Sequence, residues 1–188
     1  MGIDLTSELL DQLGFQWDVL RPRWQTLTDE ELHWEPVAGM WGVRRRAEAR
    51  TSMAAGAGDV VIDFEPAPAS PVPMTTIAWR LGHIADVFGE RAANHFGAAP
   101  FGYATTDWPL TAAGMLELVD RAHAAWVAGV RGLDDAGLAA PCGPAEGPYA
   151  EYPMVTLVLH INREVLHHGA EVALLMDLYD HREDFIVP

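Results

Sequence analysis

The sequence predicts an all-α fold, a four-helix bundle with long crossover connections. Three observations carry that reading. Four segments of about 20 residues repeat apolar side chains every three or four positions, capping or stop residues stand at their ends, and Gly/Pro-rich stretches separate them. The first segment runs from about Leu5 to Leu27, with Leu9, Leu10, Leu13, Trp17, Leu20 and Trp24 as its apolar stripe. Thr6 or Ser7 is the expected cap, and Pro22 is expected to kink or divide the helix. Thr28 with Glu31 three residues on has the form of a capping box, which opens a short helical turn before Trp34-Glu35-Pro36.

From Gly39 to Pro73 the helical period disappears. The stretch is Arg-rich and Ala/Gly-rich, alternates at Val60-Val61-Ile62-Asp63-Phe64 and ends in a Pro-rich run. It reads as an ordered excursion, a small hairpin inserted between the first and second bundle helices. The second bundle helix spans about Thr75 to Phe96, capped by Thr75 or Thr76 and stopped by Gly97. The third spans about Thr111 to Leu133. The fourth spans about Pro153 to Leu178, opening on a proline whose missing N–H is harmless in a first turn. Two long connections are compatible with crossovers other than the short up-down kind.

A chain of 188 residues has room for one domain with a full core, and residues 1–188 are read as one. The formal charge is -15, from 27 acids and 12 bases. Such an excess repels phosphate backbones and anionic lipid, so neither a nucleic-acid nor a membrane partner is expected. All the bases are arginine; without lysine there is no Schiff-base chemistry and no P-loop lysine. The single cysteine, Cys142, sits in Pro-Cys-Gly-Pro and excludes a disulfide framework or multi-Cys zinc site within one chain. A reducing, cytoplasmic location is the expectation, since Met1 to Glu8 is acidic and no apolar run approaches the ~18 residues of a membrane span.

The chemistry concentrates in the fourth helix, where His160, Glu164 and His168 are spaced i, i+4, i+8 within an otherwise apolar sequence. Adjacent members of such a stripe have Cβ atoms ~5–6 Å apart and can share one metal ion without bending the backbone. His83 on the second helix offers a ligand from a facing element, with Gly82 leaving space on its turn and Asp86 as a candidate acceptor orienting it. Spacing alone leaves alternatives open. Glu164 and His168 also read as a polar pair on a wet face, worth ~0.2–0.5 kcal/mol, and His167 with Glu171 is a rival pair. His33, His95, His123 and His181 fall near helix ends or wet faces and receive no role. Arg44-Arg45-Arg46 with Arg50 reads as a solvated face.

Thr75-Thr76-Ile77-Ala78-Trp79-Arg80-Leu81-Gly82-His83-Ile84-Ala85 and His160-Ile161-Asn162-Arg163-Glu164-Val165-Leu166-His167-His168-Gly169-Ala170-Glu171 together resemble the DinB-like superfamily of metalloenzymes. Leu27 to Pro36 is similar to that family as well. The resemblance implies a bundle of DinB-like type binding one divalent metal through His83, Glu164 and His168. Glu164 stands where the commoner pattern has histidine, and this departure resembles the mycothiol-dependent maleylpyruvate isomerase branch. A carboxylate hardens the ligand set, so zinc or nickel is joined by manganese or iron as a candidate.

The implied activity is small-thiol-dependent S-transfer or isomerisation, with mycothiol or another low-molecular-weight thiol as cosubstrate and a small electrophile as substrate. Arg80 and Arg163 are the candidates for binding an anionic group on either. A metal-dependent hydrolase is the alternative enzyme. A non-enzymatic bundle that pairs as a homodimer is the alternative outside enzymology.

Overall fold

The computed structural model describes residues 2–66 and 70–185. The first helix, α1 (Leu5–Trp24), begins at Asp4, two residues before the first expected cap. Asp4 Oδ1 accepts from the Ser7 backbone N–H at 3.1 Å and Oδ2 from the Ser7 hydroxyl at 2.9 Å. A carboxylate also meets the partial positive charge of the helix start, which a hydroxyl at Thr6 or Ser7 does not. The helix is not divided at Pro22. The ring falls in the last turn, removes one backbone hydrogen bond, and is followed by only two helical residues. In α2 (Asp29–Leu32) Thr28 Oγ1 accepts from the Glu31 N–H at 3.2 Å, as the capping box requires.

The excursion contains the expected hairpin, β1 (Val43–Arg45) and β2 (Val60–Ile62), antiparallel with Val43 opposite Ile62. Arg45, Arg46 and Arg50 are exposed, as the solvated-face reading expects, and only Arg44 departs from it. Asp63 is fully buried and accepts from Arg44 Nε at 2.7 Å, the Gly42 N–H at 3.0 Å and the Arg50 N–H at 2.8 Å. A buried carboxylate without such donors would be expensive, so Arg44 is drawn inward while Arg45 stays in water against Asp59. Trp79 Nε1 donates to the Asp63 carbonyl at 2.7 Å and fastens the excursion to the next helix.

That helix, α3 (Ile77–Phe96), is capped by Thr76 and ends at Gly97, whose φ of 68° is the left-handed stop that glycine adopts without strain. α4 (Ala112–Arg131) opens on Thr111, α5 (Asp135–Ala139) is a short turn after it, and α6 (Met154–Asp180) closes the chain behind Pro153. α3 packs on α4 and α6, and α1 packs on α6 and α4, so α1 and α3 lie on one diagonal and α4 and α6 on the other. The chain therefore crosses the bundle diagonally twice, once through the hairpin excursion and once through α5 and the 3₁₀ turns at Pro144–Tyr149. The consequence is that α3 and α6 are neighbours. Among the described residues no helix is long and apolar enough to cross a membrane.

Two core features bear on stability. α4 approaches α3 so closely that a Cβ on Gly129 would sit 2.0 Å from the Phe96 ring. His123, expected on a wet face, instead stacks on Trp17 at 3.7 Å and 4° and meets Phe88 edge-on. Burial there lowers its pKa to about 4.

Gly129→Ala should destabilise by about 1–3 kcal/mol in urea unfolding, because overpacking against a ring outweighs the ~1 kcal/mol that alanine gains in a helix. A neutral or stabilising result would show the contact to be loose. His123 has a folded pKa below its unfolded value of about 6.5. The unfolded chain then holds the extra proton between pH 6.5 and 4, so stability is full above that window and falls as pH drops through it. His123→Phe should flatten this decline, with wild type losing about 2 kcal/mol relative to the variant between pH 7 and pH 4, a figure already discounted for the ring's partial exposure. Parallel pH profiles would contradict it.

Candidate metal centre

Because α3 and α6 are neighbours, His83 faces the stretch of α6 that carries Glu164 and His168. His83 Nε2 lies 3.6 Å and His168 Nε2 3.3 Å from the same carboxylate oxygen, Glu164 Oε2. One ligand atom from each of the three residues falls within 4.8 Å of the others. Ligand atoms held ~2.0–2.2 Å from a common ion sit roughly 3–3.5 Å apart, so this donor set fits a divalent cation with little movement. The two imidazole planes are crossed at 83°, which lets both nitrogens aim at one point.

The outward nitrogens are occupied. His83 Nδ1 is 2.6 Å from the Tyr103 hydroxyl, and His168 Nδ1 is 2.6 Å from Glu171 Oε2. Glu171 is itself held by Arg80 Nη1 at 2.8 Å. An imidazole that donates from Nδ1 presents a lone pair at Nε2, and the outward partner thus fixes which nitrogen is free to ligate. The interaction with nearby His83 is the main cause that holds the Glu164 carboxyl down at about 2, against the opposing effect of burial. In His168 burial is the largest influence; it lowers the pKa and favours the neutral ring. One anion and neutral imidazole are the protonation states a divalent cation requires of its ligands.

The other candidates lie around this centre. Asp86 does not orient His83; Tyr103 does, and the sequence gives no sign of it because the connection at 97–111 has no period to follow. Arg80 is committed to Glu171 and the edge of His168, at 3.0 Å from Nδ1. Arg163 is exposed and turned toward His160 Nδ1, and it lines a groove with Leu159 and Leu166 away from His83. His160 Nδ1 stands 3.6 Å from Glu164 Oε1, while His167, His168 and Glu171 form another cluster that overlaps the first.

A cavity of about 300 Å³ opens beside the centre, with His83 and Glu164 in its lining. Phe64, Trp79 and Tyr103 supply aromatic wall, and Trp79 stacks on His83 at 5.2 Å. The space left by Gly82 is filled from the far side, where Ile62 and Trp108 would lie 2.9 Å and 3.3 Å from a Cβ. The hairpin thereby braces the turn that carries His83. With the three candidate ligands on one side and a cavity on the other, the arrangement leaves room for a further ligand beside them.

Equilibrium dialysis against zinc should find one ion per chain, lost in His83→Ala and in His168→Ala and largely kept in His160→Ala and His167→Ala. Glu164→Gln should weaken binding by removing the charge while keeping the shape. Glu171→Gln, which touches no ion in this arrangement, should cost about 10–100-fold by freeing the His168 ring. Unchanged affinity in Glu171→Gln would mean that the outward contact does not orient its ligand.

A family model described as the DinB superfamily matches residues 12–172. No curated protein and no solved structure matches the chain significantly. The matched span contains α2 to α5, α1 from Gln12 onward and α6 up to Val172, and with them His83, Glu164 and His168; the chain belongs to the DinB superfamily.

Proposed function

We propose that the chain is a divalent-metal enzyme that joins a small thiol to a small electrophile, as an S-transferase or a thiol-assisted isomerase. The observation that carries this reading is the convergence of His83 Nε2, Glu164 Oε2 and His168 Nε2 at the edge of an aromatic-walled cavity. These three residues would hold the ion, with zinc or nickel favoured and manganese or iron admitted by the carboxylate. A bound divalent ion supplies Lewis acidity, which lowers the pKa of a thiol from its usual ~8.5 and leaves thiolate available near neutrality.

The protein's own part is positional. Tyr103 and Glu171 hold the two imidazoles, Arg80 holds Glu171, and Trp79 covers one face of His83. The chain offers no evident nucleophile for covalent catalysis. Cys142 is buried at the bundle end with its thiol pKa raised by burial, and there is no lysine. An imported nucleophile follows, and the resemblance of the Glu164 and His168 pair to the mycothiol-dependent branch implies mycothiol or a similar small thiol rather than water. A cytoplasmic location and association as a homodimer belong to the same reading. Exposed Phe15, Leu159 and Leu166 on α1 and α6 support the homodimer.

Zinc-loaded protein incubated with mycothiol, bacillithiol or glutathione and monobromobimane should form the thioether above the protein-free rate for at least one thiol. Chelation or His168→Ala should return that rate to background. Background rates with every thiol, together with hydrolysis of an ester or amide library, would replace this reading with the hydrolase.

A further inference from the structure

Asp86 lies three residues along α3 from His83 and lines the same cavity. It is 3% exposed, and its Oδ1 has no hydrogen-bond partner. A buried carboxylate ordinarily recruits a cation or several donors, and its surroundings supply neither in full. Arg91, the arginine in the cavity lining, is taken by Glu90 Oε2 at 2.6 Å and faces Glu146 Oε1 at 3.6 Å. From the 97–111 connection the Tyr103 backbone N–H only weakly favours the charged form, while the phenol is turned to His83. On α6, His160 is engaged by Arg163, and Glu164 is engaged by the two imidazoles. Glu90 adds a like charge. Burial first and Glu90 next push the Asp86 carboxyl up to about 7.

We propose that Asp86 is the acid of this site, a neutral carboxyl that donates its O–H to an oxygen of a ligand seated between it and the His83–Glu164–His168 centre. The ligand class follows from the geometry. It is a small molecule with a carboxylate or carbonyl oxygen a few ångströms from its metal-facing atom, because residues at i and i+3 on a helix stand ~5–6 Å apart at Cβ. A cationic group in that place would meet a donor rather than an acceptor.

For turnover the inference rests on the thiol reading above. When a thiol adds to a carbonyl electrophile, the S–H proton leaves, the C–S bond forms and the π pair moves onto the carbonyl oxygen. That oxygen takes the Asp86 proton, and the proton released by the thiol restores the carboxyl, so the addition balances without a further reactant.

The test uses zinc-loaded full-length protein and its Asp86→Asn and Asp86→Ala variants. Infrared spectra at pH 6 should show a protonated-carboxyl stretch in wild type that Asp86→Asn lacks. Calorimetric titration with three thiols of similar size should find mercaptoacetate bound about tenfold tighter than ethanethiol and cysteamine no tighter than ethanethiol. Asp86→Asn, which still donates an N–H, should keep part of that preference, and Asp86→Ala should lose it. Absence of the infrared band overturns the proposal, as does a preference for cysteamine or an unchanged preference in Asp86→Ala. If no thiol binds, the thiol reading fails, while the infrared band still decides for or against a neutral Asp86.

Discussion

Ionisable side chains placed in the seam between two apolar helices have to be satisfied on every side, and much of this molecule follows from that constraint. His83, Glu164 and His168 point at one another across α3 and α6, the first two half-buried and His168 buried. Each imidazole is therefore anchored outward, one to a phenol from the 97–111 connection and the other to a carboxylate that an arginine holds in turn. Neither anchor works unless α3 and α6 are adjacent and the connections fall where they do. The two diagonal crossovers are thus part of the site's construction as much as of the fold's.

The same constraint separates the other buried ionisable groups by what surrounds them. His123 is packed between Trp17 and Phe88 and has the depressed pKa of a ring kept neutral for packing. Asp63 is buried more completely still, but three donors and the Arg44 charge complete it, and it acts as the pin of the hairpin excursion. Asp86 resembles neither. It is buried like Asp63, but one of its oxygens has no partner, and the residue lines the cavity beside the centre. Burial alone would not distinguish a structural acid from a reactive one; the unfilled hydrogen-bonding capacity beside a cavity does.

The bundle helices are legible in the sequence because period, cap and stop agree at each of them. Thr28, Thr76, Thr111 and Gly97 stand where the expected helices begin and end. The Asp4 cap and the passage through Pro22 differ from expectation because competing local signals lie within a single turn, where one hydrogen bond decides the boundary. His83, Glu164 and His168 are legible as candidates because i,i+4 spacing is a local property of one helix and His83 marks its partner. The roles of Tyr103 and Glu171 are not. Tyr103 acts from an aperiodic connection. Glu171 has the spacing of a partner for His167, which its Oε1 meets at 3.4 Å, and only the rotation of the His168 ring brings its Oε2 to His168 as well. The inward turn of Arg44 is hidden for a related reason, since only tertiary structure shows that Asp63 is buried and needs a cation.

One ion shared by His83, Glu164 and His168 has a rival position in the neighbouring His167–His168–Glu171 cluster. An anomalous-difference map from a crystal of the zinc-loaded protein, collected on both sides of the zinc edge, separates the two places directly. A single peak is expected about 2.0–2.2 Å from His83 Nε2, Glu164 Oε2 and His168 Nε2, with Glu171 accepting from His168 Nδ1 and left uncoordinated. A peak on His167 and Glu171, with His83 still bonded to Tyr103 and no density between the helices, would contradict it.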